Sequence, residues 1–373
     1  MKTFKQYWEK IKWNEVSKLI SKCKFRDVEN ILNKNFLLLN DAIPLLSKAA
    51  SFYLESLAQK AKIITRTRFG NNINLFMPLY LSNFCSNDCT YCGFSMKNKI
   101  KRKVLNEKEI LRECEVILKQ NIKNILLVSG EHNKISGIDY LYKIISLIRK
   151  KFSSIAIEVQ PLSTEEYKLL KKVGLDGVLV YQETYNIKSY KEHHIIGKKR
   201  DFFWRLSTPE RIAKSNIEKI GLGILIGLSE NWRTDCYFLM NHIFYLRKFF
   251  WKTNYSLSIL RLRPCTNGIS PKCIINESDL LQIMCVFRIL FPEIEISLST
   301  RESKKFRDNI SPILINNISA GSSTQPGGYS TSKKELNQFE IQDNRSPREV
   351  SQELEKKGMN PVWKDWDYYL GRY

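Results

Sequence analysis

The sequence predicts a parallel β/α fold, most simply a closed (β/α)8 barrel with an N-terminal helical extension and a C-terminal extension. Three observations predict it. From residue 73 onward, eight short and mostly β-branched apolar runs alternate with longer amphipathic stretches, the pattern of parallel strands joined by helices. No G-x-G-x-x-G follows the first run, which disfavours an open dinucleotide-binding sheet. The chain has 373 residues, 43% hydrophobic and 26% charged. That is enough for one large core with extensions, and it is unlike a disordered or disulfide-stapled chain.

The elements follow in order. Residues 1–72 read as helices. Apolar residues recur at helical spacing through 36–46 and again at Ala49, Ala50, Tyr53, Leu54, Leu57 and Ala61, with Asp41 as a cap and Pro44 in the first turn. The barrel is assigned to residues 73–320. Its strand runs are 73–82, 124–129, 154–159, 177–181, 221–228, 255–262, 293–298 and 312–318. Helical patterns lie between most of them, at 107–120, 138–151, 164–173, 209–219, 234–250 and 278–290. Thr164 with Glu166, Thr208 before Pro209, and Ser278 with Asp279 mark helix starts. The extension, 321–373, opens loop-like in GSSTQPGGYSTSKK, with a turn at 325–328. Ser346 followed by Pro347 opens a last helix to about residue 357. The aromatic end, NPVWKDWDYYLGRY, is expected to dock on the rest of the chain.

Sixty Lys and Arg against 38 Asp and Glu give a net charge of +22. A nucleic-acid face would gather these cations into one stripe interleaved with aromatics. Here they are spread along the chain, as in 97–103 and at Lys10, Lys12, Lys18, Lys22 and Lys24. Lys outnumbers Arg, and Ile and Asn are abundant, as an AT-rich coding sequence produces, so no nucleic-acid partner is expected. No apolar stretch approaches the ~18 residues of a membrane span, and the N-terminal MKTFKQYWEKIKWNEV lacks an apolar signal core. Nine cysteines, an odd number, point to a reducing cytoplasm.

The most informative segment is YLSNFCSNDCTYCGF, residues 80–94, directly after the first strand. Cys85, Cys89 and Cys92 have the spacing C-x3-C-x2-C, which lets three thiolates of one loop converge. Zinc is the alternative, and it usually wants a fourth Cys or His nearby. A 4Fe–4S cube held by three cysteines keeps one iron free for a small ligand, and this spacing is similar to that of radical S-adenosylmethionine (SAM) enzymes. Cys114, Cys236 and Cys285 fall in helical patterns and read as core thiols. Cys265, after a strand in RLRPC, faces the barrel mouth in this reading. The last 88 residues contain no cysteine, so one cluster is expected.

Barrel chemistry sits at the carboxyl ends of strands. Those ends carry Ser129, Gly130, Glu131 and His132, then Glu158 and Gln160, then Tyr181, Gln182, Glu183, Thr184 and Tyr185. Ser229 and Glu230, Arg261 and Arg263, and Ser299 and Arg301 follow. A glycine at 130 lets backbone approach a ligand, and Glu131 or a carbonyl takes the ammonium of SAM. Glu158 and Gln160 suit ribose hydroxyls. Arg301 suits a substrate carboxylate held bidentately. Its competing roles are an ion pair with Glu302 and replacement as clamp by Arg261 or Arg263.

Beyond the cysteines, LLVSGEH (126–132), EVQPL (158–162), VYQETY (180–185), KKRDFFWRL (198–206), KIGLGILIGLSENWR (219–233), RLRPCTNGI (261–269), LSTRES (298–303), TQPGGY (324–329) and PVWKDWDYYLGR (361–372) resemble the 2-iminoacetate synthase family (ThiH), across essentially the whole chain. The resemblance implies a radical SAM barrel. A reduced 4Fe–4S cluster cleaves SAM, and the 5′-deoxyadenosyl radical takes a hydrogen from the amino group of L-tyrosine. The Cα–Cβ bond then breaks to give 2-iminoacetate (dehydroglycine) and p-cresol for thiamine thiazole formation. It implies one cluster on Cys85, Cys89 and Cys92 with SAM, thiazole synthase (ThiG) as protein partner, and a flavodoxin-type or other low-potential electron donor. Tyr181 and Glu183 then join Arg301 as expected catalytic residues. Gln182 and Arg205 join Gly130, Glu131, Glu158 and Gln160 as expected cofactor-binding residues. Relatives that act on tyrosine in hydrogenase maturation carry a second, C-terminal cluster, which this chain lacks the cysteines to hold. A tryptophan-cleaving relative and a non-catalytic scaffold for thiazole synthase are the alternatives that remain.

Overall fold

Period-two alternation builds the barrel. The computed structural model describes residues 2–34, 36–330 and 337–364. Eight parallel strands pair in chain order: β1 (Asn72–Ser82), β2 (Asn124–Ser129), β3 (Ser154–Glu158), β4 (Gly177–Leu179), β5 (Lys219–Ile226), β6 (Asn254–Arg261), β7 (Glu295–Leu298) and β8 (Asn317–Ser319). β8 returns to β1, with Asn74 opposite Asn317 and Phe76 opposite Ser319, and closes the sheet. Along β1, Leu75, Met77, Leu79 and Leu81 point outward into the core under the helices. Phe76 and Tyr80 point inward and join Leu126, Val128, Ala156 and Leu179 inside the barrel.

The N-terminal helices wrap the outside. Helix Leu54–Phe69 packs on helix Glu277–Leu290, and Gln282 donates to the carbonyls of Leu45 and Ser47 at 2.8 and 2.9 Å. Phe4 stacks on His242 with ring centroids 3.9 Å apart. Among the described residues no helix is long and apolar enough to cross a membrane.

Local differences from the sequence reading have identifiable causes. The eighth strand is only Asn317–Ser319, because residues 312–314 finish a helix, Lys304–Leu314. That helix buries Phe306, Arg307, Ile310, Ser311 and Leu314 at helical spacing and is capped by Ser303, and this packing overrides the β-branched run. Asp41 does not cap a helix with its side chain; it accepts from the Leu38 amide and from Lys34. Ser163 and Asn276, each one turn ahead of a Glu or Asp, are the caps assigned above to Thr164 and Ser278. Ser346 does cap the last helix, Pro347–Lys356. A further strand, Asn360–Val362, pairs with the start of β1, and the Lys123 amide donates to the Trp363 carbonyl beside it. Most of the aromatic end, residues 365–373, lies outside the described residues.

Candidate active site

One cavity opens at the carboxyl ends of the strands, where this fold places its small-molecule sites. Cys85, Cys89 and Cys92 form one side of it. Their loop is held from several directions. The Arg102 guanidinium donates to four carbonyls, of Asn83, Phe94, Ser95 and Asn98, at 2.6–3.1 Å. Residues 194–196 form a short antiparallel bridge with 88–89, with His194 opposite Cys89. Tyr91 Oη and His194 Nε2 lie 2.7 Å apart. Gly197, at φ +94°, is needed here, because a Cβ would stand 2.2 Å from Asn87 Oδ1.

Gly130 also lines the cavity, but its missing side chain serves the chain's own backbone. A Cβ would meet the Phe84 carbonyl at 2.3 Å, and the Gly130 carbonyl already accepts from Ser129 and Ser136.

Beside the cysteines stands a compensated charge network. Glu131 pairs with Arg205 at 3.0 Å and accepts from Asn87 at 2.8 Å. Arg205 also donates to the Tyr181 carbonyl at 2.6 Å and lies 3.8 Å from Glu183. Lys199 closes the set on Glu183 at 2.7 Å. Burial would raise the Glu183 carboxyl, but Lys199 and Arg205 outweigh it and hold it below its usual range. Glu183 adopts φ +71°, a conformation uncommon for a non-glycine residue. The following residues hold it there, because buried Asp235 accepts from the Thr184 hydroxyl at 2.8 Å and the Tyr185 amide at 2.6 Å.

The opposite wall differs. Arg301 lines the cavity with its guanidinium 3.4 Å from the centre of the Phe339 ring. Among the described residues it has no ion-pair partner. Arg263 lines the same wall, and its buried Nε has no hydrogen-bond partner. Glu302, the expected competitor for Arg301, is instead bound by Arg261, so Arg261 is committed elsewhere. Burial lowers the Arg301 pKa, and Tyr80, Glu158 and Glu183 oppose that. Glu158 sits between the walls; burial and then Glu183 raise its carboxyl to about 7. Tyr181 packs its ring against Gly223 and lies 3.4 Å from the Ser258 hydroxyl.

Two expected residues are not in this lining. Gln160 lines a smaller neighbouring pocket with Glu131 and donates to the Ser136 carbonyl at 3.0 Å. Gln182 is buried outside the lining. Several lining residues escaped the sequence reading. Lys199 and Tyr91 are two. Gln338 and Phe339, which cross the mouth from the C-terminal extension, are two more. Gln338 is fixed by its carbonyl on the Gly93 amide and by Tyr80, whose hydroxyl donates to it at 2.8 Å.

The donor set suits an iron–sulfur cluster. Burial raises all three thiols, Cys85 to about 11, so thiolates there require a compensating cation. N–H groups already point at sulfur: the Asn87 amide lies 3.5 Å from Cys85 Sγ, and Gln338 Nε2 lies 3.7 Å from Cys92 Sγ. Such donors stabilise cluster-bound sulfur. A cube held by three cysteines gives each thiolate its own iron, which suits three thiols on one short loop.

Comparisons with known proteins agree with this geometry. Residues 79–237 match the Radical SAM superfamily, and residues 258–360 match the Biotin and Thiamin Synthesis associated domain. The chain is 52% identical to the 2-iminoacetate synthase of Salmonella typhimurium over 100% of this chain and 99% of that protein. It is 53% identical, with the same coverage, to the one from Escherichia coli. Among solved structures, the FeFe-hydrogenase maturase HydG from Carboxydothermus hydrogenoformans superposes with a TM-score of 0.83 at 31% identity, covering 94% of this chain and 80% of that one.

Proposed function

The chain belongs to the 2-iminoacetate synthase family, and from that premise we propose how its side chains divide the work. It is a radical SAM carbon–carbon lyase that cleaves L-tyrosine between Cα and Cβ, giving 2-iminoacetate and p-cresol for the thiazole of thiamine diphosphate. In our reading Cys85, Cys89 and Cys92 each give one thiolate to a single 4Fe–4S cluster, with SAM on the remaining iron. With SAM bound, that cluster supplies the one-electron reductive cleavage that yields the 5′-deoxyadenosyl radical.

The protein's own contribution is placement. Glu131, oriented by Arg205 and Asn87, presents its free lone pairs to the SAM ammonium. Glu158 accepts from ribose hydroxyls. Arg301 takes the tyrosine carboxylate in its planar fork. A carboxylate held on that wall turns the amino group toward the cysteine side, where proximity does the catalytic work. Tyr181, between the walls, and Glu183, at the edge of the paired wall, contact the substrate. Gln338 and Phe339 narrow the mouth and keep water from the radical. The imine product hydrolyses in water, so direct transfer to thiazole synthase (ThiG) in a reducing cytoplasm completes the reading.

The observation that carries it is one cavity lined on one side by three cysteine thiols and on the other by a guanidinium that has no ion-pair partner among the described residues. The test is anaerobic incubation of reconstituted protein with SAM, dithionite and L-tyrosine. The expected products are p-cresol and, after hydrolysis, glyoxylate. An indole product formed from L-tryptophan in preference to p-cresol contradicts the substrate assignment.

A further inference from the structure

We propose that the outer face of the cysteine loop is the docking surface for an acidic one-electron carrier protein, an inference that rests on the radical chemistry proposed above. Met96, Ile195 and Ile196 are 47%, 40% and 51% exposed. They stand directly behind the cysteines: Ile196 pairs with Asp88, His194 pairs with Cys89, and the Met96 amide donates to the Asn87 carbonyl. Around this apolar centre the same two segments expose Lys97, Lys99, Lys101, Lys191, Lys198 and Arg200. The nearby acids offset them only in part. Asp88 is buried with Lys97 3.6 Å away, Glu192 pairs with Lys272, and Asp201 caps the amide of Trp204.

An apolar centre with a rim of one sign is the anatomy of a protein-binding surface, and a positive rim steers an acidic partner. The place selects the kind of partner. The cavity side of the cysteines faces the substrate, so a protein that exchanges an electron with the cluster approaches from the outer side. One electron leaves the carrier, which is oxidised by one, and enters the cluster, which is reduced by one; no atom or proton moves. A second exposed apolar pair, Phe25 and Phe52 on the N-terminal helices, belongs to other elements and provides an internal control.

The experiment measures binding of a bacterial flavodoxin, as an acidic probe, to the full reconstituted chain by calorimetry at low and high salt. The combined variant Lys99→Glu, Lys101→Glu, Lys191→Glu is expected to bind at least tenfold more weakly and with a flatter salt dependence. Phe52→Asp is expected to bind like the parent. Dithionite needs no docking surface, so dithionite-driven p-cresol formation stays within twofold of the parent in both variants. Unchanged flavodoxin binding in the combined variant, or the loss appearing in Phe52→Asp instead, overturns the proposal. Loss of dithionite-driven turnover in the combined variant overturns it too, because the face would then serve the site itself. A parent that makes no p-cresol contradicts the lyase reading, while the binding comparison still decides the surface.

Discussion

The two walls of the cavity handle charge in opposite ways. On the cysteine side, Glu131, Arg205, Glu183 and Lys199 are mutually paired at 2.7–3.8 Å. On the far side, Arg263 and Arg301 enter the same space, and the carboxylate that could have neutralised Arg301, Glu302, is taken by Arg261. Arg301 is half-buried with no ion-pair partner among the described residues, and desolvation of an unpaired charge is costly. In the function proposed above, that is where a ligand brings the anion. The paired wall is a fixed arrangement, and the unpaired wall is the one proposed to take a carboxylate.

The comparison breaks most completely at the thiols. Cys89→Ala is expected to abolish 5′-deoxyadenosine formation, with or without tyrosine; reconstituted variant protein that retains the parent rate contradicts the cluster assignment. The paired wall breaks next. Arg205→Met leaves Glu131 without its cation and Glu183 with Lys199 alone, and breaking a buried pair from one side costs about 3–5 kcal/mol. Urea unfolding measures this, and adding Glu131→Gln to the same protein is expected to restore part of the loss.

Glu158 sharpens the comparison through pH. Its folded carboxyl titrates near 7 and its unfolded one near 4.3, so between those values the folded state binds more protons. Stability therefore falls as pH rises through that window, by about 3 kcal/mol for this group. Glu158→Gln is expected to flatten the slope between pH 5 and 8 in unfolding experiments on the ligand-free chain; an unchanged slope contradicts the assignment. The smallest effect concerns the ring under Arg301. Phe339→Leu removes a contact worth about 1 kcal/mol, so the KM for tyrosine is expected to rise a few fold while the KM for SAM is unchanged.

The legible part of this site was the part borne by strand ends. Cys85, Glu131, Glu158, Tyr181, Glu183 and Arg301 follow strands whose apolar runs are visible in the sequence, and a barrel brings strand ends to one rim whatever the loops do. The illegible part arrives by loops. Lys199 reaches Glu183 only because residues 194–196 pair with the cysteine loop, and two consecutive histidines in EHHIIGKK were the available signal. Gln338 and Phe339 come from beyond a Gly- and Ser-rich stretch, where composition predicts a loop but not its destination. Gln160 and Gln182 show where that signal stops. Each lies at a strand end, yet neither side chain enters the main cavity, because a polar residue type reports chemistry and not direction. The residues around 312 misled for a similar reason: a β-branched run was read as strand where Ser303 and a buried helical face had already fixed a helix.

In the proposed function the unpaired wall belongs to the substrate carboxylate, and Glu131 on the paired wall belongs to SAM. Arg301→Lys tests it most directly, since it keeps the charge and removes the planar fork. In one reaction mixture, p-cresol and 5′-deoxyadenosine are quantified with and without L-tyrosine. The account predicts that tyrosine-dependent p-cresol falls at least tenfold while tyrosine-independent 5′-deoxyadenosine stays within twofold of the parent. Loss of both products together contradicts it, and would place Arg301 with SAM binding or with the fold.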